Sequence, residues 1–269
     1  MEMQSGFYSA TGGMVVSFNK LDTVTNNLAN LNTNGFKRDD LIVGDFMRLY
    51  QEKRDELPLD NHTKDSAQFF NRSMDRVPHI VADYTKHETG AMQQTGNKLD
   101  FSVKRDDLFF AVKTPAGIRF TRDGSFTLNE QGVLTTKKGH PVLPANYFQQ
   151  GQLIRFEAQS KEPHVDNAGR IFVDNNEVSQ FMLAQPSDLS RLKKEGSSLF
   201  IPADERRFQI EKNANAVAQG TLEKSNVNAV KEMVTMIEAH RMLGMYQKVM
   251  DTQMNDLNRD AIEKLAAKA

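Results

Sequence analysis

The stretch "NNLANLNTNGFKR", residues 26–38, cuts off a long apolar pattern and decides how the rest of the chain divides. Upstream of it, apolar or small residues alternate at steps of four and three: Met3, Phe7, Ala10, Met14, Ser17, Leu21, Val24, Leu28 and Leu31. That is the narrow seam of a heptad helix, sustained for about four heptads. The Asn-Thr-Asn-Gly run then supplies residues that tolerate a left-handed backbone, with Gly35 at the natural position just past a helix end. A heptad helix over residues 1–35 is expected.

A second pattern closes the chain. After "GTLEKSNVNAV", Met236, Leu243, Met250 and Leu257 recur seven residues apart, and Met233, Ile237, Ala239, Tyr246, Met254 and Ala261 widen the face. Asn226 or Asn228 fits an N-cap, and Glu232 lies near the first turn, where the helix dipole favours an acid. Gly244 costs roughly 1 kcal/mol relative to Ala without ending the pattern. A helix over residues 228–269 follows, and each terminal helix would be on the order of 45 to 60 Å long. The seams can pair with each other, with counterparts in other copies, or serve as core helices of one globule. Ordinary globular helices run to about 20 residues, which favours the first two.

Between the helices the period drops to short alternating runs. "LDFSV", "LFFAV", "IRFT", "SFTL" and "VLTT" are separated by "TPAG", "RDG", "NEQG" and "KKGHP", which is turn chemistry. "HVDNAGRIFV" and "EVSQFMLA" predict a hairpin or neighbouring strands. The pattern predicts a β-rich body over residues 99–209, a sandwich or irregular barrel. It is flanked by an extended, partly β connector over 36–98, charge-rich around "QEKRDELPLDNHTKDSAQFFNRSMDR", and a shorter connector over 210–227. The expected fold class is α+β: terminal helices forming a coiled-coil-like stalk on a central all-β domain.

Composition excludes several classes. Lys plus Arg (34) balances Asp plus Glu (35), so the basic field of a nucleic-acid binder is missing. No run approaches the roughly 20 apolar residues of a membrane span, and "MEMQSGFYSATGG" opens with an acid and has no apolar block of a secretory signal. Without cysteine there is no disulfide, zinc-thiolate or thiol chemistry. Asp100, Asp106, Asp107, Asp123 and Asp174 have no spacing that selects a catalytic pair, and Asp123 before Gly124 is a turn residue. The histidines His62, His79, His87, His140, His164 and His240 form no metal spacing. "DNAGRIFVDNNE" has the outer acids of a calcium loop, Asp166 and Glu177, but Ala168, Arg170 and Ile171 stand where oxygen ligands and glycine belong. No enzymatic role, cofactor or metal is expected.

"ANLNTNGFKR" after a heptad helix, "GNKLDFSVKRDDLFFAVKTPAGIRFTRDGSFTLNEQGVLTTKKGHPVL" in the body, and "QGTLEKSNVNAVKEMVTMIEAHRMLGMYQKVMDTQ" at the end, in that order, resemble the bacterial flagellar rod and hook family. The resemblance implies a structural subunit of the basal body's axial shaft that transmits torque to the hook. It implies export through the flagellar type III apparatus and a final position spanning the periplasm. Implied partners are copies of itself in a helical homo-oligomer, other rod and hook subunits, the surrounding rings and the export apparatus.

The family's N-terminal motif carries over to Asn27, Ala29, Asn30, Thr33, Gly35, Phe36 and Lys37, and its C-terminal motif to Ser225, Asn226, Val227, Asn228, Glu232, Met233 and Arg241; the resemblance makes these assembly positions. The chain departs from the family pattern at Asn34, at Asp106-Asp107-Leu108, at Pro144 and in "HRMLGMYQK". Within the family the distal rod type is favoured, with a proximal rod or hook-like paralogue as the alternative. Outside it, the alternative is a trimeric surface adhesin or fibre module, separable by stoichiometry.

Overall fold

A computed structural model describes residues 2–45, 78–156, 163–196, 198–202, 208–212 and 215–266. In chain order it contains helix α1 (Glu2–Ala29), strands β1 (Asp39–Asp45), β2 (Pro78–Thr85), β3 (Met92–Gln94), β4 (Phe101–Val103), β5 (Phe109–Thr114), β6 (Gly117–Thr121), β7 (Phe126–Leu128) and β8 (Leu134–Thr136), and the one-turn helix α2 (Tyr147–Gln150). Then come β9 (His164–Val165), β10 (Arg170–Val173), β11 (Asn176–Gln180), β12 (Leu183–Pro186), a 3-10 turn (Leu189–Arg191), β13 (Lys193–Glu195), β14 (Leu199–Ile201), β15 (Phe208–Glu211), β16 (Val217–Gln219), β17 (Thr221–Glu223) and helix α3 (Ala229–Ala266). They fall into two compact units. The first takes the described residues of Met1–Leu28, Asp39–Tyr84 and Ala229–Ala269, and the second Ala29–Arg38 with Thr85–Asn228.

The second unit is built on a six-stranded sheet in the order β13-β14-β6-β5-β12-β15. Its central strand is the run "LFFAV", apolar at every position because both faces are covered. Leu108, Phe110 and Val112 enter one core with Phe101, Phe126, Leu134, Phe181 and Leu183. Phe109 and Ala111, on the opposite face, join Phe120, Leu143, Met182, Ala184 and Phe200. The first core is aromatic at its centre: the Phe110 ring meets Phe126 edge-on at 5.2 Å and Phe181 at 5.4 Å. Each such phenyl, fully withdrawn from water, contributes about 1.5 to 3 kcal/mol. The expected hairpin is present as β10–β11, turning on Asp174 (φ 49°) and Asn175 (φ 68°). Asp and Asn accept the left-handed backbone that such a two-residue turn demands. Short antiparallel pairs β16–β4 and β17–β3 add the chain's later strands to the same unit.

The first unit holds α1, α3 and the pair β1–β2, with residues 46–77 of the charged connector outside the described residues. Among the described residues the expected coiled-coil-like stalk is absent, and this is the correction the structure makes: seventeen strands make the described chain mostly β-sheet, and the two long helices do not interlock. A coiled coil seats every seam residue in a hole of the facing helix. Here Ala10, Ser17 and Val24 are buried, while Phe7, Met14, Leu21 and Leu28 on α1 and Met236, Leu243 and Met250 on α3 remain half-exposed.

Leu31 lies past the end of α1, and the Leu257 side chain is outside the described residues. The cause is a rotation of the contact line onto small residues. A Cβ on Gly13 would lie 2.2 Å from Tyr246 Cζ, so α3 approaches α1 at Gly13 rather than at the neighbouring Met14. Gly13 facing Tyr246 and Asn27 facing Glu232 set the helices antiparallel.

Candidate functional site

Part of the two terminal motifs, Gly35, Phe36 and Lys37 from the first and Ser225, Asn226 and Val227 from the second, meets in one join in the second unit. Past the end of α1 the chain turns on itself: Thr33 Oγ1 donates to Asn30 Oδ1 at 3.1 Å and Phe36 N to Thr33 O at 3.3 Å. Gly35 follows with φ 67°, and its N–H donates to Glu223 O of β17 at 2.8 Å. A Cβ there would lie 2.4 Å from the backbone of Arg122 and Asp123, so the position needs glycine for conformation and for space. Phe36 is buried, with the Lys194 ammonium 4.0 Å from its ring centroid.

Lys37 then enters the interior. Its side chain is fully buried, as are those of Glu223 and Arg122, which complete a three-charge cluster. Lys37 Nζ donates to Glu223 Oε1 at 2.5 Å and to Glu88 O at 2.7 Å. Arg122 Nε donates to Glu223 Oε2 at 2.8 Å, and its remaining donors go to the backbone oxygens of Val103, Arg105 and Leu108. The Gly90 N–H gives the carboxylate a third partner at 2.9 Å. One anion thus holds two cations in a dry site. Burial, and then Arg122, push the Lys37 pKa down to about 8 against the opposing pull of Glu223.

Asn226 closes the join from the C-terminal motif. Its Oδ1 accepts from Arg38 N at 2.7 Å, and its Nδ2 donates to the carbonyls of Lys86 at 2.9 Å and Glu88 at 3.1 Å. One amide therefore ties the N-terminal loop, the segment after β2 and the approach to α3 into one register. Ser225 and Val227 flank it, both buried, with Val227 N donating to Ser225 Oγ at 3.3 Å.

The first unit holds a smaller counterpart. Asn27 exchanges bonds with Asp39, Nδ2 to O at 2.8 Å and Asp39 N to Oδ1 at 3.0 Å, and also donates to the buried Glu232 at 3.3 Å. Ala29, Asn228, Met233 and Arg241 are exposed.

The sequence-derived set thus splits into an inner group that makes the join and an outer group that faces solvent. Reasoning from sequence missed Glu223, Arg122 and His87. The available signal was Lys37 itself, since a cation beside a core phenylalanine demands an anion. Among the described residues no cluster of His, Cys, Asp and Glu could hold a metal. A notch of about 470 Å³ lined by Gln185, Pro186, Ser187, Phe208 and Gln209 presents no ionisable side chain among the described residues.

Comparison with known proteins gives three matches to family profiles. Residues 7–37 match "Flagella basal body rod protein", residues 106–173 "Flagellar hook protein FlgE/F/G D1 domain", and residues 218–262 "Flagellar basal body rod FlgEFG protein C-terminal". The chain is similar to flagellar basal-body rod protein FlgF of Caulobacter vibrioides, 32% identical over 98% of both chains. It is also similar to FlgF of Rhizobium meliloti, 30% identical over 98% of both. Flagellar basal-body rod protein FlgG of Borreliella burgdorferi is 29% identical over 95% of this chain and 97% of its own.

Proposed function

Because the chain belongs to the flagellar basal-body rod protein family and is a structural subunit of the basal-body rod, we propose that its copies join one another and other rod and hook subunits in a helical shaft that carries torque to the hook. In this reading the subunit passes through the flagellar type III export apparatus. It then lies in the periplasm within the surrounding rings, and catalyses nothing.

The observation that carries the reading is the outward face of α3. Val230, Met233, Val234, Ile237, Met245 and Val249 follow one another at helical spacing, all exposed, Val230 at 69% and Ile237 at 60%. Val15 and Phe18 on α1 are likewise exposed. An exposed apolar stripe on a helix, here interrupted by Arg241, marks a surface that another protein covers. Met233 and Arg241 of the C-terminal motif lie on this exposed side of α3, and together with Ala29 and Asn228 they are proposed as the assembly contacts. The buried members, Asn27, Gly35, Phe36, Lys37, Ser225, Val227 and Glu232, and the half-buried Asn226 support assembly by holding the fold of the unit to which each belongs.

Electron microscopy of basal bodies from a strain of the source bacterium lacking only this chain tests the reading. Shafts that stop before the hook are expected. Complete basal bodies with normal hooks would refute it. The distal placement favoured from the sequence remains a proposal that the length of the truncated shaft decides: a long stump supports it, and a short one assigns the chain to the proximal part.

A further inference from the structure

We propose that His87 is the trigger of an acid-opened latch: protonation of its half-buried ring, whose Nδ1 faces inward, releases the strap of residues 86–90 from the join of the two terminal motifs while the β core stays folded. The inference rests on the geometry of the second unit and is independent of the rod assignment.

The strap holds the join through five hydrogen bonds. Lys86 N donates to Arg38 O at 2.8 Å, and the Lys86 and Glu88 carbonyls accept from Asn226 Nδ2. The Glu88 carbonyl also accepts from Lys37 Nζ, and Gly90 N donates to Glu223 Oε1. His87 sits in the middle with its side chain turned to the core. Its ring packs edge-on against Phe109 of β5 at 5.9 Å and tilted against Phe200 of β14 at 5.4 Å. Among the described residues the buried Nδ1 has no hydrogen-bond partner, an arrangement a neutral imidazole tolerates by leaving a bare acceptor and an imidazolium does not, because both of its nitrogens carry protons.

The charges facing the ring are cations. Lys37 comes from the loop after α1, Lys194 from β13, and Arg122 from the chain just past β6. Acids on the neighbouring elements are engaged elsewhere: Glu223 with Lys37 and Arg122, Glu195 with Arg119, and Asp188 with Ser190 of the 3-10 turn. The Leu189 backbone alone favours the charged ring. Burial, then Lys37 and Lys194, push the His87 pKa from 6.5 down to about 4.

The sign follows from linkage. An open strap exposes His87 and restores its ordinary affinity for protons, so the open state binds more protons than the closed one between pH 6.5 and about 4. Acid therefore favours opening, and the open fraction rises about 20-fold from pH 7 to pH 5. Nothing comparable acts on the centre of the sheet.

The test is amide hydrogen exchange by NMR on the full chain at pH 7 and pH 5, expressed as protection factors so that intrinsic exchange rates cancel. Protection at Lys86 and Gly90 is expected to fall about 20-fold, while protection at Leu143, whose N–H bonds Ala111 O in the core, stays constant. In His87→Phe, which keeps an aromatic ring between Phe109 and Phe200 but cannot titrate, the strap amides should hold their protection at both pH values. Unchanged strap protection in the parent chain, or the same fall in His87→Phe, overturns the latch. Should His87→Phe not fold, the ring titration of the parent chain decides: a midpoint near 4 supports the latch, and one near 6.5 overturns it.

Discussion

Replacing Glu223 with Gln removes the one anion from a site whose three charged side chains are all fully buried. The substitution keeps the shape and one carbonyl oxygen, but it turns its amide donor toward either Lys37 or Arg122, both of which are themselves donors, and leaves the other with a neutral acceptor. Three bonds are lost or weakened: Lys37 at 2.5 Å, Arg122 at 2.8 Å and Gly90 N–H at 2.9 Å. Breaking a buried pair by removing one partner costs about 3 to 5 kcal/mol.

Lys37 limits the like-charge part of that cost. With a pKa of about 8 it can shed its proton at pH 7 for about 1.4 kcal/mol, beyond which neutralising is cheaper than facing Arg122 charged. The remainder comes from the hydrogen bonds to a charged acceptor, about 1.5 to 3 kcal/mol. A loss of about 3 to 4 kcal/mol results. At a slope of about 2 kcal/mol per molar urea the unfolding midpoint moves down by about 1.5 to 2 M.

The pH dependence gives the reasoning a second handle. In the parent chain Lys37 is protonated in both folded and unfolded states up to about pH 7 and contributes no slope there; the folded state then sheds its proton through about pH 8 while the unfolded state keeps its own, so the parent gains stability only above that. In Glu223→Gln the folded state holds Lys37 neutral from about pH 7, the unfolded state binds more protons, and stability rises with pH. The deficit should therefore shrink by about 1.4 kcal/mol between pH 7 and pH 9. Lys37→Met is the control: it leaves the neutral pair of Glu223 and Arg122 intact and should cost only about 1 to 2 kcal/mol. Urea unfolding of the full chain followed by circular dichroism reads all of this. A Glu223→Gln midpoint within about 0.3 M of the parent, or Lys37→Met as the worse variant, would refute the account of one anion balancing two cations.

Three further outcomes follow from the join and from the helices. Gly35→Ala places a Cβ 2.4 Å from the rigid backbone of Arg122 and Asp123 at a positive φ of 67°. It should lower Tm by about 4 to 8 °C in a thermal melt, from a loss of about 2 kcal/mol. Asn226→Asp keeps an acceptor for Arg38 N but loses both donations to the Lys86 and Glu88 carbonyls; urea unfolding should show a loss of about 2 to 3 kcal/mol, and a neutral result would remove Asn226 from the join. Ile237→Glu, on a side chain 60% exposed, should leave the isolated chain's midpoint within about 0.5 kcal/mol of the parent yet abolish swimming in soft agar. Normal swimming would sink the proposed assembly role of that stripe.

What could be seen in the sequence was what local chemistry controls. The end of α1 shows in Asn-Thr-Asn-Gly because only residues with access to the left-handed region close such a turn, and Gly35 does adopt φ 67°. The run "LFFAV" predicts a strand and becomes the centre of the main sheet, and Asp174-Asn175 makes the turn of the predicted hairpin. The stalk failed for a reason that periodicity alone does not carry. A heptad count marks Met14 as a seam residue and passes over Gly13, but the closest approach of two helices is set by where the backbone is bare, and Gly13 takes that place against Tyr246.

The ion cluster was hidden by distance in the chain. Glu223 stands 186 positions from Lys37 and 101 from Arg122, and no local rule picks it from 35 acids. The same distance explains what the cluster can do. A buried pair contributes little net stability once desolvation is counted, whereas a mispaired one is costly. The cluster therefore discriminates against wrong register between two chain segments far more than it strengthens the right one. Apolar contacts alone would let the loop of Phe36 slide along β17 at small cost. A single carboxylate that must meet Lys37, Arg122 and the Gly90 N–H together admits one position.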